Sequence, residues 1–342
     1  MNLKEKLAGY DESAKIKNTV PHLGKDAKLM YKTKLGVMWN GSSDTLLKSV
    51  HFRKFKGKIN LIFTSPPFPL NRKKKYGNYT GDAYKDWLAN FAEDFKSLLA
   101  DNGSLVIEIG NAWTAGGPEM TTLGLESLMR ILRDGNFSLC QQFVAYNKAK
   151  LPGPAQWVNV ERIRVKDSFS NIWWMAKTLY PKADNRKVLV PYSESMKNLL
   201  KNGKYNAGSR PSEHHIGEKS FLKDNRGAIP ANVIEVSNTR STDRYIKYCK
   251  ANGITLHPAR MPDSIPEFFI KFLTEPGDIV LDPFAGSNVT GGVSEKLGRK
   301  WISIEKEYEY AESSIARFDR ADVTQSHPLK HEKNGGETRA RK

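Results

Sequence analysis

The stretch Ile59-Asn60-Leu61-Ile62-Phe63-Thr64-Ser65-Pro66-Pro67-Phe68 constrains the fold more than any other part of the chain. Ile59 to Phe63 have the length and apolar content of a short buried strand. Pro66 and Pro67 carry no backbone N–H and cannot continue a ladder. Each also holds the residue before it extended. The predicted product is a stiff turn at the carboxyl end of a strand. It aims the Ser65 hydroxyl, a proline carbonyl and the Phe68 ring into one space. In open α/β sheets, ligands bind at that end of the strands.

The flanking patterns predict an α/β fold with a Rossmann-like sheet and helices on both faces. Gly36 to Trp39 reads as a strand, and Asn40 to Asp44 as a turn leading into a short helix to about Val50. Tyr84 to Ala100 places Trp87, Leu88, Phe91, Phe95, Leu98 and Leu99 on one helical face. Ser104 to Ile109 is the next strand, which makes a strand–helix–strand unit with parallel neighbours. Leu123 to Leu132 is a second amphipathic helix. Phe137 to Tyr146, Arg162 to Lys166 and Asn171 to Ala176 read as strands, with Trp173 and Trp174 packing the core.

A second unit runs from Ile279 to Glu305. The helix Ser264 to Leu273 precedes it. Asp278 to Leu281 is a strand, Asp282 to Asn288 a tight turn, Val289 to Leu297 a helix, and Trp301 to Ile304 a strand. Gly286 removes a Cβ where a ligand approaches the backbone. Glu305 stands 19 residues further on, near the spacing of about 20 for an acid that accepts from ribose hydroxyls. One glycine in the turn offers too few free N–H groups for a pyrophosphate. A nucleoside without phosphate, such as S-adenosylmethionine, fits better, with Asp282 facing its ammonium group. The bland reading is a plain βα turn with a packing glycine.

Charge narrows the partners. The 54 Lys and Arg against 37 Asp and Glu give +17, which favours a polyanion. Arg72, Lys73, Lys74 and Lys75 follow the proline turn at once and are candidates for phosphate contact. From Pro181 to Leu256 the periodicity weakens and Asn, Arg, Lys, Ser and Gly accumulate. Arg210, Lys219, Lys223 and Arg226 make that region a candidate DNA-reading surface, set against the reading of an ordinary solvated face. His214 and His215 have no spaced ligand partners, and no metal site is expected. Cys140 and Cys249 form no CxxC pair and are expected as reduced, buried thiols. The N-terminal residues lack an apolar signal core, and no apolar run is long enough to span a bilayer. A cytoplasmic protein is the expectation.

DPFAGSNVTG together with TSPPF resembles the amino-methyltransferases of bacterial DNA. The order, TSPPF first and DPFAGS late, looks like the permuted beta arrangement of that family. HPARMPDSIPEFFIKFLTEPGDIVLDPFAGS, KLPGPAQWVNVERIRVKDSFSNIWWMAKT and RPSEHHIGEKSFLKDNRGAIPANVIEVSN also look like family blocks, most similar to PvuII-type N4-cytosine methyltransferases. The likeness covers about Lys34 to Phe318. Asn288 departs from it, standing where many relatives have a second glycine.

The resemblance implies a methyltransferase sheet and a division of labour along the chain. Residues 1–33 are an N-terminal arm, 34–180 the catalytic part, 181–256 a target-recognition region, 257–318 the cofactor part and 319–342 a disordered tail. It implies that Thr64, Asp282, Phe284, Gly286, Ser287, Asn288 and Glu305 bind S-adenosylmethionine, the product being S-adenosylhomocysteine. Ser65, Pro66, Pro67 and Phe68 hold the exocyclic amine and ring of a flipped cytosine in double-stranded DNA. Adenine N6 is the alternative target, and an RNA or protein-glutamine amino-methyltransferase and a non-enzymatic DNA-binding module are the other classes. Neither cysteine follows a proline, which argues against a carbon-5 enzyme. No strong base is apparent, and the proton is expected to leave late, to water or through Ser65. The expected setting is a bacterial nucleoid, as a monomer or weak dimer, with a cognate restriction endonuclease acting separately.

Overall fold

A computed structural model describes residues 27–68, 79, 81–219, 221–237 and 243–325. Its strands in chain order are β1 (Lys28–Lys32), β2 (Gly36–Asn40), β3 (Ile59–Thr64), β4 (Leu99–Gly110), β5 (Ser138–Tyr146), β6 (Phe169–Ala176), β7 (Gly208–Ser209), β8 (His215–Ile216), β9 (Val233–Glu235), β10 (Ile279–Asp282), β11 (Lys300–Glu305) and β12 (Thr324–Gln325). β7 and β8 form a separate hairpin. The other ten make one sheet in the order β12-β1-β2-β11-β10-β3-β4-β6-β5-β9. The middle of it, β2-β11-β10-β3-β4, is all parallel.

This topology fixes where a ligand can lie. From β3 the chain crosses to β4 on one side, and from β10 it crosses to β11 on the other. β3 and β10 are neighbours, with Leu61 opposite Val280 and Ile62 opposite Leu281. The connections therefore diverge between them, and that divergence leaves a crevice beyond the carboxyl ends of the two strands.

Both faces of the sheet are covered, which explains why β3 reads as a continuous apolar run. Ile62, Leu281, Ile302 and Ile304 pack against Leu88, Phe91, Phe95 and Ile131 on one face. Leu61, Phe63 and Val280 pack against Phe269, Ile270, Leu273 and Val293 on the other. Each such side chain contributes about 1.5–3 kcal/mol by leaving water. Trp173 and Trp174 are both core residues, as expected.

Several elements differ from the sequence reading. The helix expected over Tyr84 to Ala100 is two, Gly81–Ala89 and Ala92–Leu98, with Leu99 already in β4. Arg162 to Lys166 is no strand: Arg162 takes a left-handed φ of 56°, which breaks an extended path. The arm is not wholly loose, because β1 pairs with β2 and the Tyr31 ring is buried; residues 1–26 lie outside the described residues. The tail is not wholly disordered either, since β12 pairs with β1. Cys249 is buried, but Cys140 is only partly so, because β5 lies close to the sheet edge.

The middle region is also less separate than its composition suggests. β9 joins the main sheet beside β5. The helix Arg244–Ala251 docks on the cofactor-side half, where Arg317 pairs with Asp243 at 2.9 Å. The irregular stretch ahead of β9 carries the helix Glu194–Asn202, capped by the Ser193 side chain and ended by Gly203 at φ 63°.

Candidate active site

The two turns predicted from the sequence open onto one cavity of about 290 Å³. Ser65, Pro66, Pro67 and Phe68 line it from β3, and Asp282, Phe284, Gly286 and Ser287 line it from β10. Glu305, at the end of β11, lines it as well. Tyr84, Trp87 and Phe284 give it an aromatic side, with Trp87 and Phe284 at 5.3 Å between ring centroids.

Gly286 sits at φ 52°, and a Cβ there would meet the His257 ring at 2.9 Å. Both constraints require glycine. Glu305 Oε2 accepts the Gly286 amide at 2.7 Å, and Oε1 accepts the Glu307 amide at 2.8 Å. A carboxylate offers about four acceptor sites, so each oxygen keeps one for a hydroxyl donor. Burial pushes the Glu305 carboxyl up to about 7. The paired acceptors, the bare glycine backbone and the adjoining Phe284 ring fit the ribose and base of S-adenosylmethionine.

Asp282 lines the cavity and is also tied into the surrounding elements. Its Oδ1 accepts the Thr64 hydroxyl at 2.8 Å and the Phe284 amide at 3.1 Å, and its Oδ2 accepts the Thr290 hydroxyl at 2.6 Å. It ties β3, the turn and the following helix together, and its burial raises its carboxyl to about 6. Thr64 is fully buried and stands behind the cavity wall as part of that knot. Asn288 is also behind the wall. It takes the left-handed conformation at φ 55°, and its Oδ1 accepts the Gly291 amide and the Ser303 hydroxyl while its Nδ2 donates to Tyr31. An asparagine side chain thus supports the turn where a second glycine would leave it bare.

At the opposite end of the cavity, the Phe68 ring rests on Gly110, where a Cβ would come within 2.7 Å of the ring. The Ser65 hydroxyl donates to the Glu108 carboxylate. Glu108 also accepts the Ser170 hydroxyl at 2.7 Å. Burial raises its carboxyl above the ordinary range, opposed by those hydroxyls and by the Lys150 charge. Sequence reasoning missed this residue. Its signal was a lone carboxylate inside the apolar run Leu105-Val106-Ile107-Glu108-Ile109.

The basic residues are less concentrated. Arg72, Lys73, Lys74 and Lys75 lie outside the described residues. Lys219, Lys223 and Arg226 are exposed in the irregular region. One guanidinium nitrogen of the half-buried Arg210 donates to the Asn206 carbonyl at 2.6 Å. None of these four lines the cavity. Among the described residues no group of His, Cys, Asp and Glu is arranged to hold a metal ion, and no helix is long and apolar enough to cross a membrane.

Comparison with known proteins gives a consistent result. A family model described as DNA methylase matches residues 59–317. The type II methyltransferase M.PvuII of Proteus hauseri is 45% identical over 303 residues, 88% of each chain. The solved structure of PvuII DNA methyltransferase (cytosine-N4-specific) superposes with a TM-score of 0.69 at 37% identity, covering 90% of this chain and 93% of that one. A putative DNA modification methylase of Thermus thermophilus, solved with S-adenosyl-L-methionine, shares the fold at a TM-score of 0.51 and 17% identity, covering 85% and 95% of the two chains.

Proposed function

This chain belongs to the DNA methylase family, and on that premise we propose that it methylates the N4 amine of a flipped cytosine in double-stranded DNA, using S-adenosylmethionine. The observation that carries this reading is the single cavity shared by the Ser65 turn and the Gly286–Glu305 unit. The cytosine assignment draws on the likeness to the cytosine-N4-specific PvuII enzyme. As the modification half of a restriction system, the protein works at the nucleoid beside a separate endonuclease.

An exocyclic amine is a weak nucleophile because its lone pair is delocalised into the ring. Two acceptors aimed at its hydrogens orient the nitrogen and return density to it. Ser65 is suited to this because its own proton is already given to Glu108. Ser65 lines the cavity and its oxygen takes one amine hydrogen, while the Pro66 carbonyl takes the second. Bound beside them, S-adenosylmethionine supplies a sulfonium-activated methyl group and departs as neutral S-adenosylhomocysteine. When the N–C bond forms, the nitrogen becomes cationic and sheds one proton to Ser65 Oγ. The Ser65 proton passes to Glu108, whose burial makes it a stronger acceptor than a surface carboxylate.

Positioning accounts for most of the acceleration, on the order of 7–11 kcal/mol for well-oriented partners. Flipping costs a few kcal/mol. Stacking on Phe68, backed by Gly110, returns roughly 1–3 kcal/mol. Glu305 accepts the ribose hydroxyls, Phe284 flanks the adenine, Asp282 faces the cofactor from the cavity wall, and Thr64 and Asn288 hold the cofactor turn from behind. Arg72 to Lys75, Arg210 and the exposed Lys219, Lys223 and Arg226 contact the duplex.

Tritium transfer from labelled S-adenosylmethionine to duplex DNA, followed by nucleoside chromatography, tests the reading. N4-methylcytosine is expected. N6-methyladenine would move the target to adenine, and unlabelled DNA would overturn methyl transfer to DNA.

A further inference from the structure

Residues 147–168 leave β5 and return into β6 at the same end of the sheet as the Ser65 turn. β6 begins beside Ser170, which pairs with Gly110, the last residue of β4. The loop is closed at its base. Asn147 N donates to the Ser168 carbonyl at 2.8 Å, and Asp167 N to the Gly153 carbonyl at 3.0 Å. Asn111 Nδ2 donates to Asp167 Oδ1 at 2.8 Å, and Lys166 Nζ to the Lys148 carbonyl at 2.6 Å. Further out, the Ile163 and Arg164 amides both donate to the Trp157 carbonyl, at 3.0 and 3.1 Å. Arg162 takes a left-handed φ of 56°, which L residues other than Asn and Asp rarely adopt.

The side chains this closed loop presents are unusual. Ile163 is 52% and Val165 86% exposed, with Leu151 and Val160 also exposed. Isolated exposed aliphatics need no explanation, but a group of them on one built loop does. Ile163 and Val165 alternate with Arg162, Arg164 and Lys166; Arg164 donates to the Pro118 carbonyl at 3.0 Å and Lys148 pairs with Glu235 at 2.8 Å, while Arg162 is exposed. Lys150 is close enough to act electrostatically on the cavity's Glu108. The loop is therefore continuous with the site, carries five Lys and Arg against two carboxylates, and exposes its aliphatic side chains.

We propose that the 147–168 loop is a wedge for duplex DNA: its basic side chains grip the phosphates flanking the target, and Ile163 and Val165 enter the stack where the flipped base leaves. The inference rests on the reading of the cavity as a site for a flipped base. Extruding a base opens a gap that water fills poorly, and branched aliphatic side chains are what proteins insert between base steps. The alternating cations supply the sequence-independent attraction that brings such residues into the groove.

The test compares the wild type, the double variant Ile163→Ser/Val165→Ser, and Arg162→Ala. The substrate is a duplex carrying the sequence that the wild type labels, and the same duplex with an abasic position opposite the target. Single-turnover tritium transfer, S-adenosylmethionine affinity and duplex affinity against salt are measured. The double variant is expected to keep cofactor affinity within about twofold and to lose at least about tenfold in transfer on the matched duplex. On the abasic duplex it recovers to within about threefold, because an unpaired base leaves the stack cheaply. Arg162→Ala is expected to reduce the slope of log affinity against log salt by about 1. Wild-type transfer by the double variant, or an equal loss on both duplexes, overturns the wedge. A wild type that labels no DNA overturns the methyl-transfer reading itself.

Discussion

Ser65 and Glu108 share a hydrogen bond across two neighbouring parallel strands, one just beyond the end of β3 and the other near the end of β4. The register that sets Thr64 opposite Ile107 brings them together. Ser65→Ala is expected to lower single-turnover transfer by about 10²-fold or more, with duplex affinity within about threefold. Near-normal transfer would remove Ser65 from the chemistry.

Glu108 must be ionised to accept a proton, and burial raises its carboxyl. The transfer rate is therefore expected to fall as pH drops through a value above the ordinary carboxylate range. Glu108→Gln should lower the rate and abolish that acid limb. A limb that persists unchanged in the variant assigns it to another group.

In the proposed cofactor site the Glu305 carboxylate accepts from the ribose, and hydrogen bonds to a charged group are worth about 1.5–3 kcal/mol. Glu305→Ala is expected to weaken S-adenosylmethionine binding by about ten- to a hundredfold, as read by calorimetry. Equal affinity in the two proteins would show that Glu305 only braces the Gly286 amide.

Two buried carboxyls give the ligand-free protein a pH-dependent stability. Glu305 is raised from 4.5 to about 7 and Asp282 from 3.8 to about 6, both chiefly by burial. With the folded value above the unfolded one, the folded state binds the proton more tightly. Their contribution is complete below about pH 4 and is lost as pH rises through about 6 and about 7, each tenfold difference in proton affinity being worth at most about 1.4 kcal/mol. Urea midpoints are expected to fall over that interval, and less steeply in Glu305→Gln. A parallel fall in both proteins would exclude Glu305 as a source.

Gly36 lies against Trp301, where a Cβ would overlap the indole ring. Trp301 is buried, stacks on Phe318 at 5.0 Å and donates to Glu295 at 2.5 Å, so it has little room to move. Gly36→Ala is expected to cost about 1–3 kcal/mol of stability by overpacking. Chemical denaturation checks it, and a change under about 0.5 kcal/mol would mean that the ring yields.

Both ligand turns were legible because their chemistry is local. Prolines stop a strand wherever they occur, and a glycine followed at fixed distance by an acid marks a βα crossover. Glu108 was not legible, because its meaning depends on Ser170, 62 residues away, and on the sheet register that sets it beside Ser65. Asp282 and Asn288 were assigned to the ligand from the motif around them. Only the fold reveals that Thr64, Thr290 and Ser303 engage their side chains. Arg162 to Lys166 alternates as a strand does, yet its apolar positions face outward. β1 and β12 pair from opposite ends of the chain, which no local pattern announces.

The strand order carries a consequence for biosynthesis. β2 and β3 follow one another in the chain, but β11 and β10 stand between them in the sheet. A nascent chain emerging from the ribosome has β2 and β3 long before the pair that separates them. Until then each presents an unpaired, largely apolar edge, the kind that recruits other chains. The segment Ile279–Glu305 closes both edges at once, as a keystone set between two standing walls. Chaperone demand should therefore be greatest while the irregular middle region is being translated, and should end when the methyl-donor half arrives.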